Sequence, residues 1–351
     1  MAALLALVLG CGGQVTTSSS SGGGGGSGGG DACPPATPCS FDCAFEVLAP
    51  DINEVSGVYR GPVVAGDYVY LSVSVPFSSW ELYRASACEL GQLEVVASGD
   101  GFVMDLAPLD DGRLQISRRG DQDNDFMPPS QILVYDPDGD QLTPLGGAEL
   151  RDAWSVSFHE GTVQWLGSYA QGGTMGARMT SLDGEIVQAF IDPDAWVGVA
   201  SDGESLFWGA IGGVRRGIVG AGPADYTTVI PMEYAAAVVT VGDYVVGSDV
   251  EVDPQLTVDA EKDGSNPVTL AAGSYWTYLD ADAEAVYVRT NEPFSLEDPR
   301  DIQVVRFVPP DPTPQVVLTT PLWAEFDVHN GWLYAYSLVD GLIRIPVAQG
   351  S

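Results

Sequence analysis

Positive charge is scarce in this chain. Lys262 is the only lysine, and 14 Lys and Arg face 48 Asp and Glu, for a formal net charge of −34 over 351 residues. Phosphate backbones are held by clustered cations, so nucleic acid is excluded as a partner. The acids are spread along the whole chain. They read as a solvated surface that keeps a protein soluble rather than as a cation trap. Histidine is nearly missing too, with only His159 and His329. Neither stands beside a G-x-S-x-G elbow, and no phosphate-binding loop, dinucleotide fingerprint or H-E-x-x-H occurs. Carboxylate-pair chemistry stays open, but among so many acids no pair stands out. No convincing helical stretch with apolar residues at i, i+3, i+4 and i+7 is found.

What is present is β composition. Hydrophobic residues make up 45% and charged residues 18%, which is globular rather than disordered, and 43 Gly and 24 Pro supply many turns. One hydrophobic strand recurs after a tight turn: "GDYVYLSV" (66–73), "DGRLQISR" (112–119), "EGTVQWLG" (160–167), "GESLFWGA" (203–210), "GDYVVGSD" (242–249), "AEAVYVRT" (283–290) and "NGWLYAYS" (330–337). Aligned on Val69, Leu114, Val163, Leu206, Val245, Val286 and Leu333, the copies lie 39 to 49 residues apart. That is the period of a four-stranded propeller blade. Each unit divides into strands a to d. Strand a is apolar, and strand b, the aligned segment, is apolar on both faces. Asp-Gly turns such as "DPDGD" (136–140) join c to d.

The units begin near 61, 101, 152, 195, 234, 275 and 323, and the seventh stops after strand c at "LIRIPVAQGS". The segment "CAFEVLAP" (43–50) resembles the closing strand of a unit, yet no unit precedes it. The expected fold is therefore an all-β, seven-bladed β-propeller of four-stranded antiparallel blades. Its ring is closed by an N-terminal strand added to the last blade. "VYVR", "LYAY", "LIRIP" and "IQVVRF" resemble the repeats of bacterial lipoprotein and YWTD/TolB-like propellers, a likeness of architecture over about 300 residues that implies no ligand.

The N-terminus "MAALLALVLGCGG" resembles a bacterial lipobox, although no Lys or Arg precedes its apolar run. The resemblance implies a signal segment at 1–10 and lipid attachment at Cys11. With Gly rather than Asp after the cysteine, it also implies sorting to the outer membrane of a bacterial envelope, the head facing the periplasm or cell surface. Residues 11–32 are Gly/Ser-rich and read as a flexible tether. A cysteine-rich segment (33–44) leads into the propeller (45–351). An exported chain meets an oxidising compartment, so Cys33, Cys39, Cys43 and Cys88 are disulfide candidates. Cys88 is expected to bond one of the other three and staple the lead-in segment to the ring.

Two b-to-c loops are long and acidic, 118–130 and 289–301. In the first, Asp121, Asp123 and Asp125 alternate as hard oxygen ligands of Ca²⁺ do, but Phe126 stands where an EF-type loop needs Gly. Calcium is thus the one cofactor hinted at. Strand a often starts with an aromatic, and Trp154, Trp196, Tyr234, Trp276 and Trp323 would gather at the channel mouth. There they would either pack between blades or stack on a flat ligand. These features describe a membrane-anchored extracytoplasmic binding or scaffold protein, its protein or carbohydrate ligand unidentified. The alternative is an extracytoplasmic propeller hydrolase or lyase using carboxylates, assisted by Ca²⁺, on the acidic loop face.

Overall fold

The computed structural model describes residues 15–16, 46–49, 57–75, 78–119, 131–145, 150–169, 174–249, 255–273, 278–290, 302–320, 326–337 and 340–347. Among them no helix occurs, and the strands form seven four-stranded antiparallel sheets, one of which carries an additional two-residue strand. In chain order, strands a to d of blade 1 are Val58–Ala65, Tyr68–Val75, Ser79–Ser86 and Glu94–Asp100. Blade 2 has Phe102–Pro108, Leu114–Arg119, Gln131–Asp136 and Gln141–Pro144. Blade 3 has Leu150–His159, Thr162–Tyr169, Met175–Ser181 and Ile186–Ile191. Blade 4 has Ala195–Ser201, Ser205–Ala210, Gly213–Ile218 and Tyr226–Ile230. Blade 5 has Ala235–Val241, Tyr244–Asp249, Gln255–Glu261 and Val268–Gly273. Blade 6 has Leu279–Ala281, Val286–Thr290, Ile302–Val308 and Asp311–Thr320. Blade 7 has Phe326–His329, Trp332–Ser337 and Gly341–Pro346, and its strand d is Glu46–Ala49 from the other end of the chain.

The seven aligned residues of strand b, from Val69 to Leu333, are all completely buried. That is why strand b is apolar on both faces: each blade packs against a neighbour on either side. The hairpins follow from turn chemistry. Glu160–Gly161 and Asn330–Gly331 have positive φ at both positions, the two-residue turn whose twist matches antiparallel strands. At the closing seam Glu46, Val47 and Ala49 pair with Arg344, Ile343 and Leu342. Leu48 and Ala49 then join a core with Val69, Leu71, Tyr334 and Leu342, shared by blades 7 and 1. The Arg344 guanidinium clasps Glu46 at 2.7 Å and donates to the Ala87 carbonyl at 2.7 Å, and Gly91 N–H donates to the Leu48 carbonyl.

Neighbouring a strands meet around the whole ring, so strand a is the inner edge of every blade. An edge strand leaves a row of N–H and C=O groups unpaired. The preceding blade satisfies several of them here. Asp105 accepts from Val156 N–H (2.9 Å), Asp280 from Val328 N–H (2.6 Å), and Asp327 from Val64 N–H (2.7 Å). Ser155 accepts from Gly198 N–H (3.0 Å) in the same way. Blades 4 and 5 use bare backbone contact instead. A Cβ on Gly209 would lie 2.2 Å from the Val197 carbonyl oxygen and 2.3 Å from that of Ala235.

Within the Gly/Ser-rich segment 11–32, Val15–Thr16 pair in parallel with strand a of blade 3, Val15 opposite Ser157 and Thr16 opposite Phe158. These β-branched residues suit a strand, whereas the Gly and Ser around them favour none.

Candidate functional site

The face carrying the d-to-a and b-to-c connections gathers the exposed aromatics of the inner strands. Trp196 and Tyr234 stand next to the start of strand a in blades 4 and 5, Trp154 is the fifth residue of the longer strand a of blade 3, and all three are half-buried. The connections that lead into strand a of blades 4 and 5 are tied by hydrogen bonds. Ile211 N–H donates to the Asp194 carbonyl and Gly212 N–H to that of Glu233, so the b-to-c turn of blade 4 ties both neighbouring connections. Asp249, at the end of strand b of blade 5, accepts from Glu233 N–H (3.1 Å) and Tyr234 N–H (3.4 Å). Ile211 is exposed beside Tyr234 and bridges to it. Arg119, from the b-to-c end of blade 2, sets its guanidinium 5.8 Å from the centre of the Trp154 ring. No ring contact joins Trp154, Trp196 and Tyr234 among the described residues. Half-exposed aromatic faces next to a guanidinium and an aliphatic side chain suit a flat or apolar ligand group. Trp276, Trp323 and the acids Asp121, Asp123 and Asp125 lie outside the described residues.

The buried carboxylates have another role. Burial pushes Asp327 above the usual carboxylate range, against hydrogen bonds from Val64 N–H, the neighbouring Asp280 carboxyl and Val328 N–H. Such a perturbed carboxyl in an enzyme would face a cleft. Asp327 and Asp280 are completely buried; Asp327 Oδ2 accepts from Val64 N–H and Asp280 Oδ2 from Val328 N–H, which is joinery between blades. Sequence reasoning missed this set. The signal was there: an Asp or Ser inside an otherwise apolar strand a, in "FVMDLAP", "AWSVSF", "YLDA" and "EFDVH".

A second column lies in strand c. Arg84, Arg216, Arg306 and Arg344 pair with the aromatics Tyr70, Phe207, Tyr287 and Tyr334 of strand b. In blade 5 the same place holds Asp259, opposite Val246. Asp259 is completely buried, and neither carboxyl oxygen has a hydrogen-bond partner among the described residues. Burial pushes its carboxyl up to about 6, an effect that its own N–H and that of Val268 offset in part from positions outside hydrogen-bonding geometry.

His159 and His329 end strand a of blades 3 and 7, on the opposite face. His329 has its pKa lowered by burial, and its Nε2 lies 3.0 Å from the Asn330 amide. "DPDGD" is the c-to-d turn of blade 2: Asp136 accepts from Asp138 and Gly139 N–H, and Asp140 accepts from the Tyr135 hydroxyl. Cys88, in the c-to-d connection of blade 1, packs against the core shared with blade 7, and its sulfur is in disulfide linkage. Cys33, Cys39 and Cys43 lie outside the described residues, as does Cys11.

No protein-family model matches the chain, and no curated protein matches it by sequence. Solved structures do match. The WD40 domain of coronin from Toxoplasma gondii is 9% identical with a TM-score of 0.58, over 92% of this chain and 90% of that one. PorZ, an essential bacterial surface component of the type-IX secretion system of Porphyromonas gingivalis, is 13% identical with a TM-score of 0.56. That match covers 88% of this chain but only 39% of PorZ. TolB from Acinetobacter baumannii is also matched, at 12% identity and a TM-score of 0.45, over 78% of this chain and 61% of that one. At such identities the likeness to the coronin domain and to PorZ establishes the β-propeller fold alone.

Proposed function

We propose that this protein is a membrane-anchored extracytoplasmic binding or scaffold protein whose propeller head presents a ligand-binding face. The observation that carries the reading is the set of half-exposed Trp154, Trp196 and Tyr234 toward the N-terminal side of three adjacent inner strands, with the connections at Asp194 and Glu233 held by hydrogen bonds. A rigid ring with a preorganised aromatic rim binds at low entropic cost. The lipobox-like "LVLGCGG" supports anchoring through Cys11 in a bacterial envelope. PorZ, which shares the architecture, is described as a bacterial surface component. The buried Asp105, Asp280 and Asp327 are engaged with backbone, which favours binding over carboxylate catalysis.

Two measurements test this. Metabolic labelling with an alkyne fatty acid in a bacterial host should mark the full chain and not Cys11→Ser. A label that persists on Cys11→Ser refutes the anchor. The head should retain immobilised glycans or envelope proteins from an array, and Trp154→Ala with Trp196→Ala should lower retention at least tenfold at an unchanged melting temperature. Unchanged retention by the double variant refutes the aromatic arc as the binding face.

A further inference from the structure

We propose that the central channel is a binding site for an extended polypeptide strand, and that Val15–Thr16 of this chain are its resident occupant. The segment pairs with strand a of blade 3 and also lies against the a strands of blades 2, 4, 5 and 6. Contact with five inner strands puts it inside the ring. Strand a of blade 3 is the longest inner strand, with 10 residues, and its channel side is an open edge that recruits another strand. Val15, Thr16 and Thr17 are the only β-branched residues between Gly12 and Ala32. The chemistry recognised is that of an extended backbone with β-branched residues in a run of Gly and Ser.

The polarity fits a single threading. Because the pairing is parallel, the segment runs in the sense of strand a, from the face of Trp154, Trp196 and Tyr234 toward the face of the a-to-b turns. It leaves on the face where Glu46 starts the closing strand and where Cys88 lies. Roughly thirty residues separate Thr16 from Glu46. That many residues can reach up to about 100 Å when extended, far more than the roughly 15–20 Å from the axis to an outer strand. The chain thus meets no topological obstacle, and the proposal is independent of lipidation.

The test uses the full chain with Cys11→Ser, to remove any covalent tie through that residue, and a specific protease site inserted between Gly24 and Gly25. After cleavage under native conditions, the N-terminal fragment should co-elute with the head on gel filtration. The same chain carrying Val15→Pro and Thr16→Pro loses two strand N–H donors, and its fragment should separate on cleavage. Circular dichroism before cleavage confirms that both heads are folded. Separation of the unsubstituted fragment at tens of micromolar protein overturns the site. Equal retention of both fragments overturns strand pairing as its basis.

Discussion

Asp259 gives the sharpest test of the physical reading. Neither oxygen of this buried carboxyl has a hydrogen-bond partner among the described residues, at a place where four other blades pair an arginine with an aromatic residue across the strands. The perturbation is Asp259→Asn, which keeps the shape and removes the ionisation. An unfolded aspartate has its carboxyl at about 3.9, whereas burial holds this one near about 6 in the fold. The folded state therefore keeps its proton longer than the unfolded state. Stability from the protonated form is fully present below the unfolded value and is lost as pH rises through the folded one. Above that window the native protein carries an unpaired buried charge, at a cost of about 1–3 kcal/mol. In a ring this large, that corresponds to about 2–6 °C in melting temperature. The assay is a thermal melt of wild type and Asp259→Asn at pH 4 and pH 7.5. The variant should melt close to wild type at pH 4 and above it at pH 7.5. A difference that is the same at both values, or an Asp259→Asn protein less stable than wild type at pH 7.5, refutes the argument.

Three further outcomes follow from the joints of the ring. Asp327→Ala strands the buried Val64 N–H at the closing seam and should cost about 1–3 kcal/mol in urea unfolding, whereas Asp327→Asn keeps an acceptor and should cost less. Gly209→Ala drives a Cβ into two backbone carbonyls, one on each side, and should cost more than about 3 kcal/mol or abolish folding. Gly91→Ala, with nothing within 4 Å of the new atom, serves as its neutral control. Reduction with dithiothreitol should lower stability by about 2–4 kcal/mol through loss of the Cys88 disulfide, and a Cys88→Ser variant should show no such response. An identical response in Cys88→Ser would place the effect elsewhere.

The fold was largely legible in the chain because a propeller repeats one local solution. Apolar strand b, a turn with positive φ, and a period of 39 to 49 residues are all local signals. The completely buried column from Val69 to Leu333 is the column the alignment picked out. "CAFEVLAP" betrayed the ring closure because a closing strand without a unit needs a unit without a closing strand. Strand c of blades 4 and 5 was poorly marked, since Arg215–Arg216 and Asp259 interrupt their apolar pattern.

What the sequence determined by itself was whatever depends on neighbours along the chain: strand identity, hairpin turns, blade number and net acidity. The tertiary structure decided everything that depends on which blade follows which around the axis. Only it shows that Asp105, Asp280 and Asp327 each cap the next blade's backbone, and that Gly209 must be bare because two carbonyls close on it. Only it places Val15–Thr16 against five inner strands. These contacts join residues tens to hundreds of positions apart, and a side chain's partner across such a gap is set by the closure of the ring, which no local pattern encodes.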